Sequence, residues 1–115
     1  DDEDIVRNTV TRMLQELGYE VTAVANGREA IEHFDKGRGD VDVALIDMVM
    51  PGMGGLDCFR ALKERAPGLR ALLATGYGAD GRTTGFLQEG GAGVIRKPFT
   101  MERLAEGVAR ALRQR

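Results

Sequence analysis

The spacing of apolar positions changes several times along the chain, and each change predicts an element. Val6, Val10, Met13, Leu14 and Leu17 recur at three- and four-residue intervals, the period of a helix with one buried face. Acidic residues open this helix, where its dipole favours them, and Gly18 stands where a C-cap is wanted. Residues 19–24 (Tyr-Glu-Val-Thr-Ala-Val) alternate and are β-branched, which predicts a half-buried strand. Asn26 with Glu29 reads as an N-cap and its capping-box partner, opening a helix to about Phe34 that Gly37 and Gly39 break. Residues 41–46 and 69–74 are mostly apolar runs, the kind buried on both faces of a parallel sheet. Between them, Pro51, Gly52, Gly54 and Gly55 set a loop, and Leu56, Phe59 and Leu62 mark a helix that Pro67-Gly68 ends. A loop over 76–81 leads to a short, weak helix over 82–89 and a strand over 94–96. Leu104, Val108 and Leu112 then stripe a last helix from about Thr100.

The expected order is therefore α-β-α-β-α-β-α-β-α, which argues for a parallel α/β sheet in one domain over 1–115. Composition narrows the function classes. Sixteen Lys plus Arg against 18 Asp plus Glu give a net charge of −2, which removes the electrostatic reason to expect nucleic acid or an acidic membrane as a partner. The single cysteine, Cys58, cannot form an internal disulfide, and no apolar run approaches membrane-spanning length, so a cytoplasmic location is expected. The 16 glycines are about twice ordinary usage and announce many tight turns.

In an open parallel sheet, ligands bind at the carboxyl ends of the strands. Asp47 follows the run 41–46, Thr75 follows 69–74, Lys97 follows 94–96, and Asp1-Asp2 precede the first helix, where another strand's carboxyl end would lie. Each residue alone has a plain structural reading: a capping aspartate, a strand-ending threonine, a solvated lysine. Together they put carboxylates, a hydroxyl and an ammonium on one edge. Clustered carboxylates repel unless a cation neutralises them, and all-oxygen ligation suits Mg²⁺. One carboxylate could then act as nucleophile toward a phosphoryl group, giving an aspartyl phosphate, with metal, lysine and hydroxyl stabilising the transferring oxygens.

With Asp1-Asp2-Glu3, the strand running into Asp47, Met50-Pro51-Gly52-Met53-Gly54-Gly55, Ala74-Thr75-Gly76 and Lys97-Pro98-Phe99 in this order, the whole sequence resembles the receiver domain of two-component response regulators. The resemblance implies a flavodoxin-like, doubly wound parallel sheet of five strands in the order 2-1-3-4-5. It implies that Asp47 accepts phosphate from a histidine kinase or phosphotransfer protein, and that the domain is a switch rather than an enzyme acting on a separate substrate. Asp2 and Asp47 would hold Mg²⁺, with Asp1 reaching it through water and the Val49 carbonyl completing the site. Lys97 would pair with phosphoryl oxygens and join Pro98 by a cis bond, and Thr75 would move toward the phosphate. Output would pass through the face of the fourth helix, last strand and last helix to an effector. A homodimer could use the basic end formed by Arg103, Arg110, Arg113 and Arg115. The wording Ala74-Thr75-Gly76-Tyr77 leans toward receivers attached to kinases.

Two departures stand out. The family's central first strand would end just before Asp1-Asp2, so it is expected to precede this sequence in the natural protein or to come from another chain. Receivers commonly carry an aromatic residue three positions before the lysine; here Val94 stands there and cannot swing a ring, while Tyr77 overhangs the same pocket. The rival readings are a pseudo-receiver acting as a phosphorylation-independent interaction module, and a haloacid-dehalogenase-like phosphotransferase. The second needs an acid two residues past the nucleophile, where Val49 stands. Residues 76–81 also match G-x-G-x-x-G, but after a late strand, and about twenty residues on lies the start of the last helix and not the strand end where a dinucleotide site keeps its acidic residue. His33 lacks ligand-type partners and reads as a solvated helix residue, and Cys58 as a buried inert thiol.

Overall fold

The computed structural model describes residues 3–37, 41–48, 52–76 and 81–113. Helices α1 (Glu3–Glu16) and α2 (Gly27–Asp35) come first, then strand β1 (Ala44–Asp47), α3 (Gly55–Arg65), β2 (Ala71–Thr75), α4 (Gly81–Gln88), β3 (Gly93–Arg96) and α5 (Met101–Arg113). The helix ends obey local chemistry. Leu17, Gly18 and Tyr19 donate their N–H groups back to α1 carbonyls while Gly18 adopts φ 97°, a C-cap that favours glycine. Asn26 accepts the Glu29 N–H at 2.9 Å, and the Glu29 carboxylate reaches back past the N-cap to accept the Ala25 N–H at 2.8 Å, a variant of the capping box. The Thr100 hydroxyl accepts the Arg103 N–H at 3.1 Å to open α5.

The three strands pair in parallel in the order β1-β2-β3, with Asp47 opposite Ala74 and Thr75 opposite Arg96. Alternate residues face opposite sides. Ile46, Ala71 and Leu73 meet Cys58, Phe59 and Leu62 of α3 and Phe86 of α4, with α2 packed outside them. Leu72 and Ile95 meet Leu104, Val108 and Ala111 of α5, flanked by the apolar stripe of α1. The result is a parallel sheet covered on both faces, as expected.

One predicted element does not form. Residues 19–24 have the alternation of a strand but carry no ladder among the described residues, so the observed order has three strands in place of the expected four. A strand is made by its neighbour's hydrogen bonds, and in the order 2-1-3-4-5 this edge strand has one neighbour, which is not among the described residues. The outer edge of β1 likewise has no ladder partner among the described residues. Two boundaries also move. Asp47 and Thr75 are the last residues of β1 and β2, not the first residues after them, while Lys97 does follow β3.

Candidate functional site

The sheet itself brings the site together. Parallel register sets the ends of β1, β2 and β3 side by side, and two further backbone bonds extend the ladder past them: Met48 N–H to the Ala74 carbonyl and Lys97 N–H to the Thr75 carbonyl, both 2.8 Å. Asp47, Thr75 and Lys97 therefore share one edge. There the Lys97 ammonium donates to Asp47 Oδ2 at 2.7 Å, with both side chains about one-third exposed. Such a pair is solvent-screened and adds little to stability. Its chemical value is to hold a cation against an accessible carboxylate. The Lys97–Pro98 bond is cis, as the resemblance implied.

Thr75 is buried, and its hydroxyl donates to the Met48 thioether at 3.8 Å. Sulfur is a weak acceptor, so this contact orients the hydroxyl without holding it strongly. Met48 was not singled out by the sequence; an apolar residue after a strand-ending aspartate gives no local sign of such a contact. The sequence marks Gly55 as a loop glycine, and the structure adds a packing reason for it. A Cβ on it would lie 2.5 Å from the Asp47 carbonyl oxygen and 2.8 Å from Met48 Cα, while its N–H donates to the Met48 carbonyl at 2.9 Å. Only glycine lets α3 begin against the backbone that carries the aspartate.

Asp1, Asp2, Val49 and Tyr77 lie outside the described residues. Of the four expected Mg²⁺ ligands the structure thus places Asp47 alone, and the described residues contain no group of three or more His, Cys, Asp or Glu side chains that could hold a metal. The Asp47 carboxylate itself is a hard oxygen donor, part exposed at a strand end, and fits Mg²⁺. Val94 is half-buried against the Phe86 side of the core, so no ring occupies that position. His33 sits half-buried with its ring edge-on to Phe34. Cys58 is buried, and burial pushes its thiol up from the ordinary range. Of the predicted basic end, Arg115 lies outside the described residues, Arg110 is neutralised by Glu106 at 2.6 Å, and Arg103 donates to the Pro98 carbonyl at 2.9 Å. No helix among the described residues is long and apolar enough to cross a membrane.

The family model described as the response regulator receiver domain matches residues 1–109. The chain is 35% identical over 112 residues to the sensor kinase CckA of Brucella abortus, covering 97% of this chain and 12% of that protein. It is 27% identical to the chemotaxis protein CheY of Listeria monocytogenes, covering 96% of this chain and 92% of that protein. Among solved structures, the Vibrio cholerae chemotaxis protein CheY4 superposes with a TM-score of 0.86 at 32% identity, covering 97% and 93% of the two chains. The chain spans 12%, 30% and 48% of three of the curated relatives it matches, so it corresponds to one part of those longer proteins. From the parallel sheet and its shared strand edge to the match over nearly its whole length, the chain belongs to the response regulator receiver domain family of two-component signalling.

Proposed function

We propose that this domain is a phosphorylatable switch in which Asp47 takes a phosphoryl group from a histidine kinase or phosphotransfer protein in a Mg²⁺-dependent reaction. The observation that carries this reading is the Lys97 ammonium at 2.7 Å from the Asp47 carboxylate, on the edge that Thr75 also reaches. A carboxylate oxygen attacks phosphorus, the P–N bond to the donor imidazole breaks, and the imidazole leaves with its electron pair and picks up a proton. Lys97 is placed to follow the charge from the carboxylate onto the phosphoryl oxygens, and the Thr75 hydroxyl can exchange a weak sulfur acceptor for a phosphoryl oxygen. Bound Mg²⁺ would supply the remaining charge neutralisation. Asp2 and Asp47 would hold it, with Asp1 through water and the Val49 carbonyl.

The domain catalyses only its own phosphorylation and dephosphorylation, and it signals to an effector through the face of α4, β3 and α5. Likeness to one segment of the sensor kinase CckA supports a kinase-attached setting. A phosphorylation-independent interaction module has no need of the Asp47–Lys97 pair. The test is incubation with acetyl phosphate, with and without Mg²⁺, followed by intact mass. One phosphoryl group is expected with Mg²⁺ and none on Asp47→Asn; modification of that variant at the wild-type level would overturn the assignment.

A further inference from the structure

We infer that Arg103 is a positioning residue for the Asp47 site: by holding the Pro98 carbonyl it fixes the turn out of β3 and so aims the Lys97 ammonium at the Asp47 carboxylate. In the phosphoacceptor reading, on which this rests, that aim sets the rate at which Asp47 is labelled.

The start of α5 breaks a local rule. Thr100 is its N-cap, so Arg103 stands three residues on, where a capping box places Glu or Gln. A cation is also unfavourable in a first turn, because the helix dipole presents its positive end there. The same chain shows the ordinary charge at α2, where the Glu29 carboxylate reaches back past the cap to accept the Ala25 N–H. At α5 the third residue also reaches back past the cap, but as a donor. The Arg103 N–H goes to the Thr100 hydroxyl at 3.1 Å, and its Nη1 goes to the Pro98 carbonyl at 2.9 Å. One residue thereby grips the chain on both sides of Phe99.

That grip falls on the exit from the sheet. The Lys97 N–H makes the last ladder bond, to the Thr75 carbonyl at 2.8 Å. Pro98 has no N–H to carry the ladder further, so the chain leaves the sheet there. Phe99 packs against the cluster of Leu72, Ile95 and Leu104, and the Leu104 N–H closes the first turn of α5 on the Thr100 carbonyl at 3.0 Å. Arg103 spans this exit and ties the Pro98–Phe99 peptide to α5. Lys97 is thus framed by the sheet before it and by α5 after it. Its side chain needs the frame. A lysine has a flexible four-carbon stem, and this one is 33% exposed, so water competes for its ammonium. A fixed backbone direction at Lys97 leaves fewer rotamers to search and keeps the ammonium at 2.7 Å from Asp47 Oδ2.

The test compares acetyl-phosphate labelling rates, in Mg²⁺, of the wild type, Arg103→Gln, Lys97→Ala and the double variant. Gln is shorter than Arg and suits the capping position, so α5 keeps its start while the Pro98 carbonyl loses its donor. Arg103→Gln should label about two- to ten-fold more slowly than the wild type, the range for one exposed charge-assisted hydrogen bond. In the Lys97→Ala background the same substitution should leave the rate within about 1.5-fold, because no ammonium remains to be aimed. A purely structural role would slow both backgrounds alike. That result, or an Arg103→Gln variant that labels like the wild type, overturns the inference. Carbon-13 relaxation of labelled lysine gives a second reading without phosphate, since Lys36, Lys63 and Lys97 report separately and Lys97→Ala assigns the signal. The Lys97 Cε order parameter should fall in Arg103→Gln while that of Lys63 stays the same; an unchanged Lys97 value overturns the inference. If the wild type takes up no phosphoryl group, the phosphoacceptor reading fails. In that case, as where Lys97→Ala labels too slowly to measure, the order parameter still decides whether Arg103 aims the lysine.

Discussion

The two faces of the sheet are built to different standards. On the side of α2, α3 and α4, nine buried residues form one cluster that includes an aromatic pair and Cys58, Phe59 and Leu62 of α3. On the other side six residues are buried, and none of them belongs to α1. Val6, Val10, Met13, Leu14 and Leu17 have the same periodicity as the buried stripes of α3 and α5, yet all are only half-buried. The difference lies under the helices. Leu72 and Ile95 give α5 a floor, whereas the part of the sheet beyond β1 that would lie under α1 has no strand among the described residues, and Val43 and Leu45 stay half-buried. A periodic apolar stripe states which residues would gain from burial. How much they gain depends on what the sheet places beneath them.

The largest expected effect separates the faces by their cores. Phe86→Ala should cost about 3–5 kcal/mol, since it removes a fully buried ring and leaves Phe59 beside a cavity. Leu14→Ala should cost about 1–2 kcal/mol, because a half-buried leucine forfeits less area and can be re-solvated. Urea unfolding of both variants measures the gap. Equal losses would mean that α1 is as firmly seated as α4.

A smaller effect sets one glycine against another. Gly55→Ala places a methyl 2.5 Å from a backbone oxygen that cannot step aside, whereas Gly107→Ala meets the end of the Ile95 side chain at 2.8 Å, which can change rotamer. The first should destabilise by about 1–3 kcal/mol and slow acetyl-phosphate labelling, since the displaced backbone carries Asp47; the second should cost under about 1 kcal/mol and leave labelling unchanged. Thermal melts and labelling time courses on both variants test the contrast.

The smallest effect concerns pH. The hydrogen bond from Arg60, and then its charge, hold the Glu89 carboxyl below the usual glutamate range, and Glu89 in turn raises the guanidinium. A depressed folded-state value means that the pair contributes fully above the pH at which a free glutamate ionises, and is lost as pH falls through the lowered value. The melting-temperature difference between wild type and Glu89→Gln should therefore be small at neutral pH and vanish in acid. The difference between wild type and Phe86→Ala should persist at both.

Much of this was visible before any coordinates. The caps at Asn26 and Gly18 are local chemistry, and Asp47, Thr75 and Lys97 stand out as polar residues at the ends of apolar runs. What sequence could not show is set by distant partners. Residues 19–24 have a strand's pattern but gain a ladder only from a neighbouring strand. The thioether that receives Thr75 lies 27 residues away, and Glu89 lies 29 residues from Arg60. No periodicity encodes such pairs. Asp1, Asp2 and Val49 lie outside the described residues, so their roles rest on resemblance and on the labelling experiment.

The parallel ladder that ends at Asp47 and Thr75 also fixes the dimensions of the site. Neighbouring strands sit about 4.8 Å apart whatever their side chains, so the sheet acts as a ruler and three residues need only be the right length from their strand ends. Changes at the opposite edge, where α2, α3 and α4 finish, leave that ruler alone. A site specified in this way can be carried from protein to protein while most of the surrounding residues are replaced. The chain's 32% identity with CheY4 at a TM-score of 0.86 is what such a division between scaffold and identity looks like.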